Sequence, residues 1–254
     1  MSSPIVKLEE KVTQEILKGA FTEGKHQENA HFTMMDVAID PEKAKKLLPM
    51  GMKLTNPAKG ILYVANFDKP NFTQPYKEAG LLLHVSKYGL SEGYYCCWML
   101  VNDDTALIYG REIVAFPKKM ADITYDDDGE VVHSTIHRRG INILDLKVKR
   151  KNRLDTPEPF WGRKMFNIGG FFQFFAFLNV VWSLHGQEEI LLAYEAEAEL
   201  TLKGSEFDPI SEIIIGQPLR TRIAKLNILG AKYFFPSGLA GLAWFSRTIS
   251  MRYR

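Results

Sequence analysis

EAGLLLHVSKYGLSEGYYCCWMLV, residues 78 to 101, carries two apolar runs, 78–86 and 94–101, separated by a polar, glycine-bearing stretch. The runs are short and bounded by turn residues, so each predicts a strand, and together they set the strand-rich reading of the whole chain. Cys96 and Cys97 are adjacent inside the second run. Neighbouring residues of a strand point to opposite faces, so no disulfide is expected between them. Two buried thiols without a secretory leader fit a reducing cytoplasm, and no Cys–His spacing resembles a zinc site.

Outward from this segment the strand pattern continues. ILYVANF (61–67) precedes it and TALIYG (105–110) follows it. ADITY and VVHSTIHR are joined by Asp126-Asp127-Asp128-Gly129, a hairpin signal whose acids lack the alternating spacing of a calcium loop. GINILDLKV adds a strand, and further strands run through residue 233. Residues 147–164 are charged and contain Pro157 and Pro159, which predicts a surface excursion. Helices are expected at three places. Ser3 and Pro4 open one with Ile5, Leu8, Val12 and Ile16 on a face and Gly19 at its end; PEKAKKLLP (41–49) is a second; SGLAGLAWFSRTISMRYR (237–254) closes the chain. Strands dominate without regular strand–helix alternation, and no repeat or low-complexity linker appears. The expected fold is therefore α+β and strand-dominated, a mostly antiparallel sheet or β-barrel with peripheral helices, as one domain over 1–254.

Composition excludes several partners. A net charge of +2 on 254 residues gives no nucleic-acid or membrane-surface footprint. KVKRKNR (147–153) has no interleaved aromatics and reads as a solvated face. MFNIGGFFQFFAFLNVVWSL (165–184) is long enough to span a bilayer, but Asn167, Gln173, Asn179 and a Gly pair make a buried strand after a turn the better reading. His133 and His137 share a strand face, and two histidines alone make a poor metal site.

GREIVAFPKKM, residues 110 to 120, sets two lysines behind a proline among apolar residues. Read as extended from 112, it puts Glu112, Val114, Phe116, Lys118 and Met120 on one face and Lys119 on the other. Desolvation disfavours the charged form of a buried lysine, and a neutral amine is the species that attacks a ketone or aldehyde. Paired lysines near strand ends also commonly snorkel into water, so the pattern alone leaves both readings open.

Gly110, Arg111, Glu112, Ala115, Phe116, Pro117, Lys118 and Lys119 together make a spacing that resembles the hallmark of the acetoacetate decarboxylase-like superfamily. YKEAG (76–80), GYYCCWMLVNDDTALIYGRE and LKGSEFDPISEI (202–213) are similar to further family segments. The resemblance implies a Schiff-base nucleophile at Lys118, a Lys119 that helps keep it neutral, and a Glu78 in the same cavity that places substrate or moves protons. Acetoacetate decarboxylase is itself the standard example of a lysine activated by a neighbouring cation, so that role comes with the resemblance. The resemblance further implies that Arg111 and Glu112 brace the lysine strand, or form an internal ion pair, and that they belong with Phe116, Tyr63 and Met120 to the substrate-binding set. It also implies a homo-oligomer and a reaction on a small oxo acid without metal or cofactor. The decarboxylases proper carry an arginine and a glutamate where an ungapped reading places Asn29 and Tyr63, so acetoacetate selectivity is open. Three functions follow: decarboxylation of a β-oxo acid, an aldolase-dehydratase that condenses pyruvate with an aldehyde, or a non-catalytic module binding a small ligand.

Overall fold

The structure, a computed structural model, describes residues 25–169 and 179–253. The helix expected over 3–19 and the aromatic run 170–178 lie outside the described residues. The strands are β1 (Gln27–Ile39), β2 (Met52–Leu54), β3 (Lys59–Phe67), β4 (Lys69–Pro70), β5 (Tyr76–Lys87), β6 (Ser91–Val101) and β7 (Lys118–Met120). They continue with β8 (Asp122–Ile123), β9 (Asp126–Asp127), β10 (Val131–Arg138), β11 (Ile141–Arg153), β12 (Lys164–Ile168), β13 (Val180–Leu202) and β14 (Ile214–Leu239). Short helices α1 (Pro41–Lys45), α2 (Asp104–Glu112), α3 (Ile210–Ile213), α4 (Leu242–Arg247) and α5 (Ile249–Arg252) lie between or after them.

All described strands join one sheet with the order β12-β6-β5-β3-β1-β14-β13-β11-β10-β8. β12 also pairs with β13, so the sheet curls back on itself, while β11, β10 and β8 continue as an open flank. The result is a strand-dominated cone. Its pairings are antiparallel except for β12 and β7, which run parallel to β6.

The apolar runs of β1, β3, β5 and β6 look continuous because both faces are buried. One face of β3 gives Ile61, Tyr63, Ala65 and Phe67 to the core inside the cone; Leu62 and Val64 pack in the core on its other side. Cys96 and Cys97 divide in the same way, and both are free thiols. The register shift between Leu81 and Leu82 sets Leu81 opposite Trp98 and Leu82 opposite Cys96. Trp98 therefore joins Cys97 on the outer core.

Three sequence expectations need correction. TALIYG is helix α2, not a strand. Asp103 caps it by accepting from Ala106 N–H at 2.7 Å and is held by Thr73 and Gln74 at 2.8 and 3.0 Å. Ala106, Tyr109 and Gly110 then share its buried face at helical spacing. The surface excursion begins only after Arg153, because β11 pairs with β13 as far as Arg153↔Tyr194. The closing segment is strand to Leu239 and then two short helices, not one. Trp244 anchors them, donating from Nε1 to Leu47 O at 3.0 Å and to the Tyr95 hydroxyl at 3.2 Å, so it packs on its own sheet. The 126–129 turn is a hairpin connection, with Asp128 accepting from Glu130 and Val131 N–H. Among the described residues no helix is long and apolar enough to cross a membrane.

Candidate active site

Only residues 118–120 of the lysine segment are strand; 113–117 form an irregular connection from α2 to β7. Ala115 sits there at φ 61°, in the left-handed region. Local hydrogen bonds hold it: Phe116 N–H donates to Gly110 O at 2.9 Å, and Asn167 Nδ2 donates to Val114 O at 2.8 Å. β7 then lies parallel to β6, with Lys118 opposite Met99 and Lys119 opposite Leu100. Arg111 Nη1 donates to Lys118 O and to Arg252 O, both at 3.0 Å, tying β7 to the C-terminal helices. Gly110 is required by contact rather than by torsion, because a β-carbon there would overlap Cδ and Cε of Lys118.

Lys118 points into the cone. Its Nζ stands 2.7 Å from Glu78 Oε2, and both side chains are only 6% exposed. The other carboxylate oxygen, Oε1, accepts from the Tyr63 hydroxyl at 2.6 Å. Gly80 makes that bond possible, since a side chain at Gly80 would occupy the space of the Tyr63 ring. Burial first, and then the adjacent Glu78 carboxylate, push the Tyr63 phenol well above its ordinary pKa, so it stays a donor. The Tyr76 ring centroid lies 5.4 Å from Lys118 Nζ.

Lys119 points the other way, as alternation requires. Its Nζ meets Asp208 Oδ1 at 2.5 Å and donates to Phe207 O at 2.9 Å. Asp208 also accepts from Trp98 Nε1 at 2.8 Å and from Arg138 Nη1 at 2.7 Å. Burial is the main cause that lowers the Lys119 ammonium to about 8, with Asp208 opposing it.

A cavity of about 70 Å³ adjoins the Lys118–Glu78 pair. One water needs roughly 10–15 Å³ on this scale, so the space takes a molecule of a few heavy atoms. Phe116, Lys118 and Glu78 line it, and Tyr63 stands behind Glu78 against a smaller void shared with Phe116. Glu112 and Met120 are exposed and lie outside the cavity lining. Met120 follows Lys118 by two positions in β7, but it is 45% exposed and lies beyond the cavity lining. Asn29 does not line the cavity either; Gln27 does. Sequence reasoning missed Gln27, Tyr76, Tyr109 and Trp161 in the lining, and it missed Asp208 as the Lys119 partner. The one available signal for Asp208 was its place in the 202–213 stretch. Among the described residues no group of three or more His, Cys, Asp or Glu is placed to hold a metal ion.

Comparison with known proteins gives a family and a fold. An acetoacetate decarboxylase family model matches residues 13–232. Acetoacetate decarboxylase 1 of Mesorhizobium japonicum is 26% identical over 125 residues, 49% of this chain and 50% of the relative. Acetoacetate decarboxylase of Paraburkholderia xenovorans is 26% identical over 140 residues, 51% of this chain and 54% of the relative. The chain thus spans about half the length of these curated relatives. Among solved structures, acetoacetate decarboxylase from Legionella pneumophila aligns with a TM-score of 0.73 at 18% identity, covering 87% of this chain and 90% of the other. The enduracididine biosynthesis enzyme MppR, complexed with pyruvate, aligns with a TM-score of 0.66 at 14% identity, covering 87% and 92%. At these identities the structural likeness establishes the fold.

Proposed function

The chain belongs to the acetoacetate decarboxylase family, and from that premise we propose that it is a lyase forming a Schiff base between Lys118 and a small oxo acid. The observation that carries this reading is the 2.7 Å contact of two buried side chains, Lys118 and Glu78, beside a cavity of small-molecule size. Transfer of a proton from the ammonium to the carboxylate leaves a neutral amine and a neutral acid in contact. The amine attacks the substrate carbonyl, and Glu78 returns its proton as water departs, giving an iminium ion. With a β-oxo acid the bond to the carboxylate carbon then breaks, CO₂ leaves, and its electron pair forms an enamine. Protonation at carbon and hydrolysis release the ketone and restore Lys118. Tyr63 keeps one Glu78 oxygen fixed, so the other stays directed at the amine.

The same iminium can lose a proton from the adjacent carbon and attack an aldehyde. MppR, which shares the fold, has also been solved with the condensation product of pyruvate and imidazole 4-carboxaldehyde, at a TM-score of 0.59. Decarboxylation is the preferred reading because the family match and the curated relatives are acetoacetate decarboxylases. The test is incubation with acetoacetate or pyruvate, borohydride reduction, and intact-mass measurement. An adduct on the wild-type protein that is absent from Lys118→Ala supports the Schiff base, and CO₂ release from acetoacetate selects the decarboxylase. A folded protein that gives no adduct with either compound overturns the reading in favour of a binding module.

A further inference from the structure

We propose that Gln27 and Tyr109 bind the carboxylate of the oxo-acid substrate, a role that rests on the Lys118 reading above. Both side chains line the cavity and both are more than nine-tenths buried, at 5% and 8% exposure. Among the described residues each keeps a buried polar atom without a hydrogen-bond partner, Oε1 of Gln27 and the hydroxyl of Tyr109. Native proteins pair nearly all such atoms, so two of them on side chains that line one cavity call for a ligand. Gln27 is tethered at its other end, where Nε2 donates to the Tyr76 hydroxyl at 2.9 Å. Turning the amide over preserves that tether, with Tyr76 then donating to Oε1, and puts an N–H group in the unpartnered position instead. Gln27 and Tyr109 thereby supply two neutral donors, which suit the two oxygens of a carboxylate.

Their placement ties them to the nucleophile. Tyr76 links Gln27 to the amine, because its hydroxyl holds the amide while its ring lies near Lys118 Nζ. Tyr109 immediately precedes Gly110, the residue against which the Lys118 stem packs. Both donors are thus mounted on the same supports as the nucleophile. Neutral donors orient a carboxylate without neutralising it. Phe72 and Tyr76, also in the lining, then surround a group that becomes apolar CO₂. The charge dispersed at the transition state is therefore favoured over the bound anion.

The experiment compares acetoacetate with acetone, which lacks the carboxylate and gives an imine at the same lysine. Half-saturation for borohydride trapping is measured with both compounds on wild type, Tyr109→Phe and Gln27→Leu. Tyr109→Phe removes a hydroxyl that has no partner among the described residues, so a thermal melt should show an unchanged fold. Each variant is expected to raise the acetoacetate value by about tenfold or more, as for a lost bond to a charged group, and to leave the acetone value within about twofold. Equal shifts for both compounds would reduce the residues to a packing role and overturn the proposal. So would an acetoacetate value unchanged in both variants. Failure of wild type to trap either compound is a separate outcome; it removes the Lys118 reading itself, and the carboxylate site with it.

Discussion

Lys118 and Lys119 are one peptide bond apart, and the two sides of that bond show what distinguishes a candidate site from a structural ion pair. Both ammonium groups are buried and both meet a carboxylate. On the Lys119 side the carboxylate is enclosed: Asp208 accepts from an indole, an ammonium and a guanidinium, and those bonds join β6, β7, β10 and the 202–213 loop. On the Lys118 side the carboxylate takes one ammonium and one phenol and borders a cavity. Burial is common to both. Among the described residues, a cavity adjoins the Lys118 pair and none of its lining residues belongs to the Lys119 pair, and empty space is what a reacting molecule needs.

The sharpest way to break this comparison is to neutralise each carboxylate separately. Asp208→Asn places an amide N–H₂ among donors and strips the compensating charge from Lys119 and Arg138. Loss of one partner from a buried ion pair costs about 3–5 kcal/mol, and urea unfolding should show a loss of that size. Glu78→Gln should cost less stability, because the amide can turn its oxygen to accept from Lys118 and its N–H₂ to donate to the Tyr63 hydroxyl. Its expected effect is on rate, a fall of about 10²–10⁴ in adduct formation, the usual scale for a lost acid–base group. If the two variants exchange these phenotypes, the functional assignment belongs on the Lys119 side.

Gly110→Ala tests the same contrast with a smaller change. The new methyl overlaps the end of a flexible side chain, which can swing aside, and alanine favours the helix by roughly 1 kcal/mol over glycine. Stability should therefore stay within about 1 kcal/mol of wild type. The displaced amine, however, loses its alignment with Glu78, and a misplacement of about 1 Å can cost on the order of 10²-fold in rate. Trapping kinetics at saturating acetoacetate measure it. A variant as reactive as wild type would mean that Lys118 is not held by α2.

How much of this was legible in the sequence depended on whether the decisive contact was local. The strands of β3, β5 and β6 were readable because two buried faces produce continuous apolar runs. The Lys118/Lys119 divergence followed from alternation over three residues and survived even though the extended segment before it did not. TALIYG misled because its branched and aromatic residues suit a strand, whereas its helix depends on Asp103, which is itself held by Thr73 and Gln74 about thirty residues earlier. Asp208 and Gln27 were illegible for the same reason. Asp208 lies 89 positions from Lys119, and Gln27 lies 49 from Tyr76. Only the curl of the sheet brings them together.

The smallest expected effect concerns Lys119 and pH. Its ammonium is lowered from 10.5 to about 8, chiefly by burial. Between those values the unfolded chain holds a proton that the folded chain has released, so this group makes stability rise with pH across about 8 to 10.5. Burial pushes the Cys96 and Cys97 thiols upward, and they contribute with the opposite sign at alkaline pH. The raw stability curve therefore mixes the two effects. Lys119→Met separates them, since both proteins keep both cysteines and Asp208 retains Arg138 and Trp98. The stability of wild type relative to Lys119→Met should increase from pH 8 to 10.5, with a slope approaching about 1 kcal/mol per pH unit, as measured by urea unfolding at each pH. A difference that is flat or falls with pH would mean that Asp208 offsets the burial of Lys119 completely. The closed pair would then hold its charge as firmly as a lysine in water, and the contrast between the two sides would rest on the cavity alone.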